Sequence, residues 1–189
     1  MKNILIIGAS GSLARYVIEK LKEDKELHLT LFTRKKSRIT DISGCDVIEG
    51  DATNYNDVRN AVKGRDIVYV NLAGDLETMS KNIVKAMQET GVKKIIAISS
   101  IGIYGTPLRS VLVPYRKLAD IIENSGLDYT ILRPDWFTNA NEVDYAITQK
   151  EEDEAGSAVS RKSIADFISK IVANPELHKK ENLGISKPD

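Results

Sequence analysis

A short apolar run, Ile4-Leu5-Ile6-Ile7, leads directly into Gly8-Ala9-Ser10-Gly11-Ser12-Leu13-Ala14. The run predicts a buried strand. From Ser12 to about Glu23 the chain predicts a helix, with Leu13, Val17 and Leu21 on one stripe and Ile18 beside it. Between them lies a turn with the spacing Gly-x-x-Gly-x-x-Ala. Glycine at position 8 allows a sharp turn without a Cβ clash. Glycine at position 11 lets a phosphate approach the backbone, and Ala14 lets the helix pack close to the strand. The free N–H groups at the helix start then face an anion, and the helix dipole adds to the attraction.

Strand and helix patterns alternate through the next 120 residues or so. The further strands are expected at Leu27 to Phe32, Asp46 to Ile48, Asp66 to Val70, Lys94 to Ile98 and Tyr129 to Leu132. Helices are expected at Asn54 to Val62, Leu76 to Glu89 and Tyr115 to Glu123. The near-continuous apolar strands, such as Ile95-Ile96-Ala97-Ile98, fit burial on both faces. This pattern implies an α/β chain with three layers: a parallel sheet in the order 3-2-1-4-5-6 with helices on both faces. The ligand crevice belongs at the carboxyl ends of strands one and four.

The expectation is one domain over 1–189, with a core to residue 135 and a C-terminal loop, helix and tail from 136 onward. Residues 139–158 are polar, and Glu151-Glu152-Asp153-Glu154 reads as a solvated run. Within that stretch, Val143 to Thr148 is a candidate extra strand. Ser160 reads as the N-cap of a last helix, roughly Arg161 to Ala173. The tail from Glu176 reads as a small terminal element.

Composition narrows the classes. Lys plus Arg and Asp plus Glu each number 27, so no net basic field argues for a nucleic-acid partner. The single cysteine, Cys45, excludes an internal disulfide and reads as a buried, inert thiol. The first apolar run ends at Gly8, too soon for a secretory leader, and no stretch reaches membrane-spanning length. A cytoplasmic protein without a membrane partner is the expectation. The two histidines, His28 and His178, lie away from the crevice, and no cluster has metal-ligand spacing.

At the end of the second strand, an acidic residue would accept ribose hydroxyls and favour NAD(H). Here the chain runs Thr33-Arg34-Lys35-Lys36-Ser37-Arg38, with no carboxylate. Guanidinium pairs strongly and selectively with phosphate, so the cations point to NADP(H). Arg34 is the chief candidate for the 2′-phosphate, with Lys35 or Arg38 in support; the alternative is a basic, solvated loop. Asp51, in Gly50-Asp51-Ala52, either accepts the adenine amino group while its backbone N–H points at a ring nitrogen, or closes a turn. Asn71-Leu72-Ala73-Gly74, with its small residues, reads as lining the ribose and pyrophosphate groove, the alternative being a mere turn.

Together these pieces resemble the short-chain dehydrogenase/reductase superfamily, in particular its atypical members with an NmrA-like NAD(P)-binding domain. The matching residues are the Gly8 to Ala14 motif, Arg34, Gly50-Asp51-Ala52, Asn71 to Gly74, Ile98-Ser99-Ser100, Lys117 and Ser125 to Pro134, with Val159 to Asp166 matching a C-terminal helix entry. The resemblance covers about nine-tenths of the chain and implies a Rossmann fold. By the same resemblance, Gly8, Ser10, Gly11, Ser12, Leu13, Ala52, Leu72, Ala73, Gly74, Ser99, Lys117 and Pro134 belong to the cofactor site. It also implies a catalytic serine, tyrosine and lysine, with the tyrosine four residues before the lysine.

Ser100 and Lys117 fit two of these roles, but Val113 stands where the tyrosine belongs. The residue before Pro114 is expected outside the helix. Tyr115 lies about 200° around the helix from Lys117 and reads as a core ring. Tyr104 is the substitute candidate, equally able to serve in packing. Trp136 either stacks on a nicotinamide or aromatic substrate, or packs beneath the acidic loop. Two functions follow from this reading. One is an NADPH-dependent reductase of a flavin, quinone or small carbonyl acceptor. The other is a non-catalytic NADP(H)-binding redox sensor acting on a protein partner. A homodimer is compatible with either.

Overall fold

A computed structural model describes residues 1–189. The chain forms strand β1 (Lys2–Ile7), helix α1 (Ser12–Leu21), β2 (Leu27–Thr33), β3 (Asp46–Glu49), α2 (Tyr55–Val62), β4 (Ile67–Val70), α3 (Leu76–Thr90) and β5 (Lys94–Ile98). It continues through α4 (Val113–Glu123), β6 (Asp128–Pro134), β7 (Phe137–Thr138), β8 (Ala146–Thr148), β9 (Val159–Ser160), α5 (Arg161–Ala173) and β10 (Glu181–Ser186). The main sheet has eight strands in the order β3-β2-β1-β4-β5-β6-β10-β8. Its first six strands are parallel and keep the expected 3-2-1-4-5-6 order.

Alternation along each strand divides the core into two layers. Leu5, Ile7, Val68, Val70, Ile95 and Ala97 pack under α2, α3 and α4. Ile4, Ile6, Leu31, Tyr69, Ile96 and Ile98 pack under α1 and α5. Both faces of the sheet are therefore covered, and the polypeptide turns open only at the strand ends. No helix is long and apolar enough to cross a membrane.

Several expectations change. The tail is no peripheral element: β10 pairs parallel with β6 and antiparallel with β8, so it is an interior strand. Leu183 and Ile185 supply its buried face, and Gly184 between them lets Thr148 approach, since a Cβ there would stand 2.2 Å from the Thr148 hydroxyl. Val113 lies inside α4, with φ −54° and ψ −45°. A 3-10 turn at Ser110–Leu112 delivers the chain already helical, which overrides the pre-proline bias. Cys45 is half-buried rather than enclosed, and burial pushes its thiol up.

The acidic run also departs from a purely solvated loop. Glu154 accepts hydrogen bonds from the Arg133 guanidinium and, at 2.8 Å, from the Gly102 N–H. Arg133 is 1% exposed, so Glu154 is the counter-charge of a buried cation on β6.

Candidate cofactor and acceptor cleft

The carboxyl ends of β1 to β6 open into a cleft of about 1180 Å³. Its floor is the glycine turn. Gly8 has φ +86°, and a Cβ there would stand 1.9 Å from the Asn71 carbonyl oxygen. The N–H groups of Gly8 and Ala9 both donate to the Phe32 carbonyl at 3.2 Å, tying the turn to β2. Asn71 N–H donates to the Ile7 carbonyl at 3.0 Å, which fixes β4 beside it.

The start of α1 adjoins this floor. Gly11 is its N-cap and supplies no side-chain acceptor. By contrast, α2, α3 and α5 are capped by Asn54, Asp75 and Ser160. The first N–H groups of α1 thus lack a side-chain partner, as do those of α4, and α1 starts directly after Gly11, which lines the cleft. A Cβ at Gly11 would touch the Gly8 oxygen at 3.4 Å and Asn71 Nδ2 at 3.7 Å. Those are ordinary contacts, so the protein itself does not require glycine there; the space it leaves belongs to the cleft.

Arg34 lines the cleft just beyond β2. Arg38 lies in an adjoining hollow of about 380 Å³ that shares Ser10 and Gly11 with the cleft. The two guanidinium groups thus flank the turn. Lys35 is exposed and lines neither space, because its backbone is held by Thr33 and its side chain leaves toward solvent. Ser12 likewise lies in the smaller hollow, where its hydroxyl accepts from Arg161 at 3.3 Å. Leu13 contributes backbone alone, since its side chain is buried in the α1 layer.

Asp51 lines the cleft but is committed locally. Its Oδ1 accepts from the Thr53 N–H and hydroxyl, both at 2.8 Å. These bonds hold its carboxyl below the usual range, with Arg34 adding to the effect. The Asp51 N–H donates to Asp57 at 2.9 Å and is therefore not free for an adenine ring nitrogen. Ala52 is buried under the same turn, and its carbonyl accepts from Asn82 at 3.0 Å. Leu72, Ala73 and Gly74 line the middle of the cleft, with Gly74 at φ +98°.

At the far end, Ser99 Oγ donates to the Tyr115 carbonyl and Ser100 Oγ to the Ile101 carbonyl, both at 3.0 Å. Ser99, Ser100 and Pro134 all line the cleft. Trp136 lines it too and is 82% exposed, so it stands at the mouth and is not packed beneath the acidic loop. Tyr115 packs against the core as expected and also reaches the cleft wall.

Two expected catalytic residues lie elsewhere. Lys117 is exposed on α4 and is bonded to Glu77 on α3, outside the cleft lining. Together with Lys81 it pulls the Glu77 carboxyl down to about 2. Tyr104 does not line the cleft; it packs beside β6 and β10. Its hydroxyl accepts from Asn182 at 2.7 Å, and its ring lies 4.7 Å from Arg116, 5.0 Å from Lys150 and 5.3 Å from Arg133. The attraction of three cations for the ring, with the hydroxyl bond from Asn182, holds that orientation. Burial pushes its hydroxyl up, which suits a packed ring rather than an acid. Of the serine, tyrosine and lysine set, only Ser100 reaches the cleft. Sequence reading missed Arg109, Val111 and Leu112 as lining residues, since the segment before α4 carries no motif.

Residues 8–175 match the family described as NAD(P)H-binding. The chain belongs to that family. A Rossmann-fold NAD(P)-binding family protein from Shigella flexneri superposes with a TM-score of 0.92 at 42% identity, covering 100% of this chain and 94% of the other. A short-chain dehydrogenase/reductase from Veillonella parvula, in complex with NADP, superposes with a TM-score of 0.88 at 27% identity, covering 99% and 95%. An isoflavone reductase homologue from Nicotiana tabacum is 27% identical over 151 residues, which is 72% of this chain and 49% of that protein. The chain thus spans about half the length of the isoflavone reductase relatives it matches. Nicotinamide dinucleotide binding by the family agrees with the site itself: a cradle with room for phosphate, an uncapped helix start and a cation past β2.

Proposed function

We propose that this chain is an NADPH-dependent reductase of a small-molecule acceptor. The supporting observation is the pairing of the uncapped α1 start with Arg34, and no carboxylate, at the end of β2. Backbone N–H groups at Ser12 and Leu13 would hold the pyrophosphate, and Arg34, with Arg38 beside it, the 2′-phosphate. When bound, the dihydronicotinamide supplies a hydride; with one proton from solvent this reduces an acceptor by two electrons and leaves the oxidised cofactor. Ser100, which lines the cleft, would orient that acceptor. The NADP held by the Veillonella parvula protein and the reductase name of the Nicotiana tabacum homologue favour the same reading.

Calorimetry with NADPH and NADH tests it. Replacing Arg34 by Glu should weaken NADPH binding about 10- to 100-fold, the size of one charge-assisted pair to phosphate, with little change for NADH. Equal losses for both would remove Arg34 from the role. NADPH oxidation should then appear with a flavin, quinone or carbonyl from a panel; silence with every acceptor counts against a reductase. The placement of Lys117 and Tyr104 outside the cleft supports a second reading, a non-catalytic NADP(H) sensor. That reading expects no turnover and an affinity difference between NADP⁺ and NADPH that changes with a protein partner.

A further inference from the structure

The cleft runs on past the cofactor end. The glycine turn, Arg34 and Asp51 follow β1, β2 and β3, whereas residues 101–115 follow β5 and residues 134–137 follow β6. From β3 to β6 is five strand steps, about 24 Å at the usual strand spacing. The β5–β6 end differs in chemistry from the rest. Trp136 and Val111, two of only four large apolar side chains left exposed on the whole chain, line the cleft there at 82% and 63% exposure. Leu112 and Phe137 add further apolar wall.

One cation stands among them. Arg109 lines the same end and enters no ion pair, whereas Arg116, seven residues on, is tied to Asp120 at 3.0 Å. The one carboxylate there, Asp135, is engaged by the Trp136 N–H at 2.6 Å. An indole face and aliphatic groups select a flat ring, and an unpaired guanidinium selects an anionic group attached to it.

We infer that the acceptor is a flat, conjugated ring system bearing a carboxylate or phosphate, with its ring against Trp136 and its anion on Arg109. This rests on the reductase reading and narrows it, because small neutral carbonyl compounds would leave both features unused.

The sole tryptophan makes the site its own probe. Quenching of Trp136 fluorescence is titrated with NADP⁺ present, so that no turnover occurs. The ligands are two pairs matched in the ring: FMN against riboflavin, and anthraquinone-2-carboxylate against 2-hydroxymethylanthraquinone. In at least one pair the anionic member should quench at about tenfold lower concentration, and added salt should shrink that advantage because Arg109 is exposed. Arg109→Ala should abolish the advantage without weakening the neutral member, and Arg109→Lys should retain part of it. Indifference to the anion in both pairs, absence of quenching in both, or an advantage that survives Arg109→Ala overturns the inference. Failure of the pyridine nucleotide itself to bind would instead overturn the reductase reading, and calorimetry separates the two cases.

Discussion

Gly8 and Gly11 stand three residues apart in one turn, yet the structure gives them opposite duties, and alanine at each position separates the two. At Gly8 an alanine would have to hold φ +86° and place its Cβ 1.9 Å from the Asn71 carbonyl oxygen. The left-handed conformation costs about 1–2 kcal/mol for a residue with a Cβ. Moving β4 or the turn to relieve the overlap costs about 1–3 kcal/mol more. The sum, about 2–5 kcal/mol, corresponds to a melting point about 4–20 °C lower for a chain of this size. At Gly11 the backbone is extended, with φ −71° and ψ 156°, and the added Cβ meets only ordinary contacts. Loss of glycine at an N-cap costs less than about 1 kcal/mol. The methyl group would nevertheless occupy the floor over which a pyrophosphate passes, so NADPH affinity should fall at least about tenfold, or roughly 1.4 kcal/mol. Urea and thermal unfolding report the first effect, and calorimetry with NADPH the second. The reasoning fails if Gly8→Ala melts within 2 °C or so of the parent, given the ~2–4 °C expected per kcal/mol. It also fails if Gly11→Ala binds NADPH as the parent does.

Other outcomes follow from the same geometry. Lys117→Ala should leave NADPH affinity nearly unchanged, because the ammonium is spent on Glu77 outside the cleft; a loss above about tenfold by calorimetry would place it back in the cofactor site. Glu154→Ala strands the buried Arg133 and should destabilise the fold by about 3–5 kcal/mol in urea unfolding, whereas a cost below about 1 kcal/mol would mean that water replaces the carboxylate. Burial pushes Lys94 down to about 8. Its folded value thus lies below its unfolded one, so the charged form is disfavoured by folding and stability should rise as pH climbs from about 8 toward the unfolded value near 10.4. Lys94→Met should remove that rise; identical pH profiles for the two proteins would contradict the assignment.

Much of the scaffold was legible because it depends on local period and composition. The Ile4 to Ile7 run, the glycine turn and the Leu13-Val17-Leu21 stripe each announce a single element, and the alternation of such elements dictates a parallel sheet. What escaped depends on distant partners. Tyr104 is drawn from the cleft by Arg116, Arg133 and Lys150, which come from three different segments. Nothing in Glu151 to Glu154 distinguishes the one carboxylate that meets Arg133 from the neighbours left in solvent. Val113 is helical because of the turn before it, although Pro114 alone argues otherwise. The tail offers only Leu183 and Ile185 as apolar strand residues, too short a pattern to reveal an interior strand. At the site, cofactor motifs are backbone devices with fixed spacing and so are readable. The β5–β6 end of the cleft is assembled from loop side chains whose directions only packing decides.

The placement of β10 between β6 and β8 has a consequence for how the protein comes into being. Ribosomal synthesis delivers residues 128–134 and 146–148 well before 181–186, so for that interval one long β6 margin offers unsatisfied amide and carbonyl groups to any passing chain. Any form of the chain in which residues 181–186 are unpaired therefore presents a template for self-association.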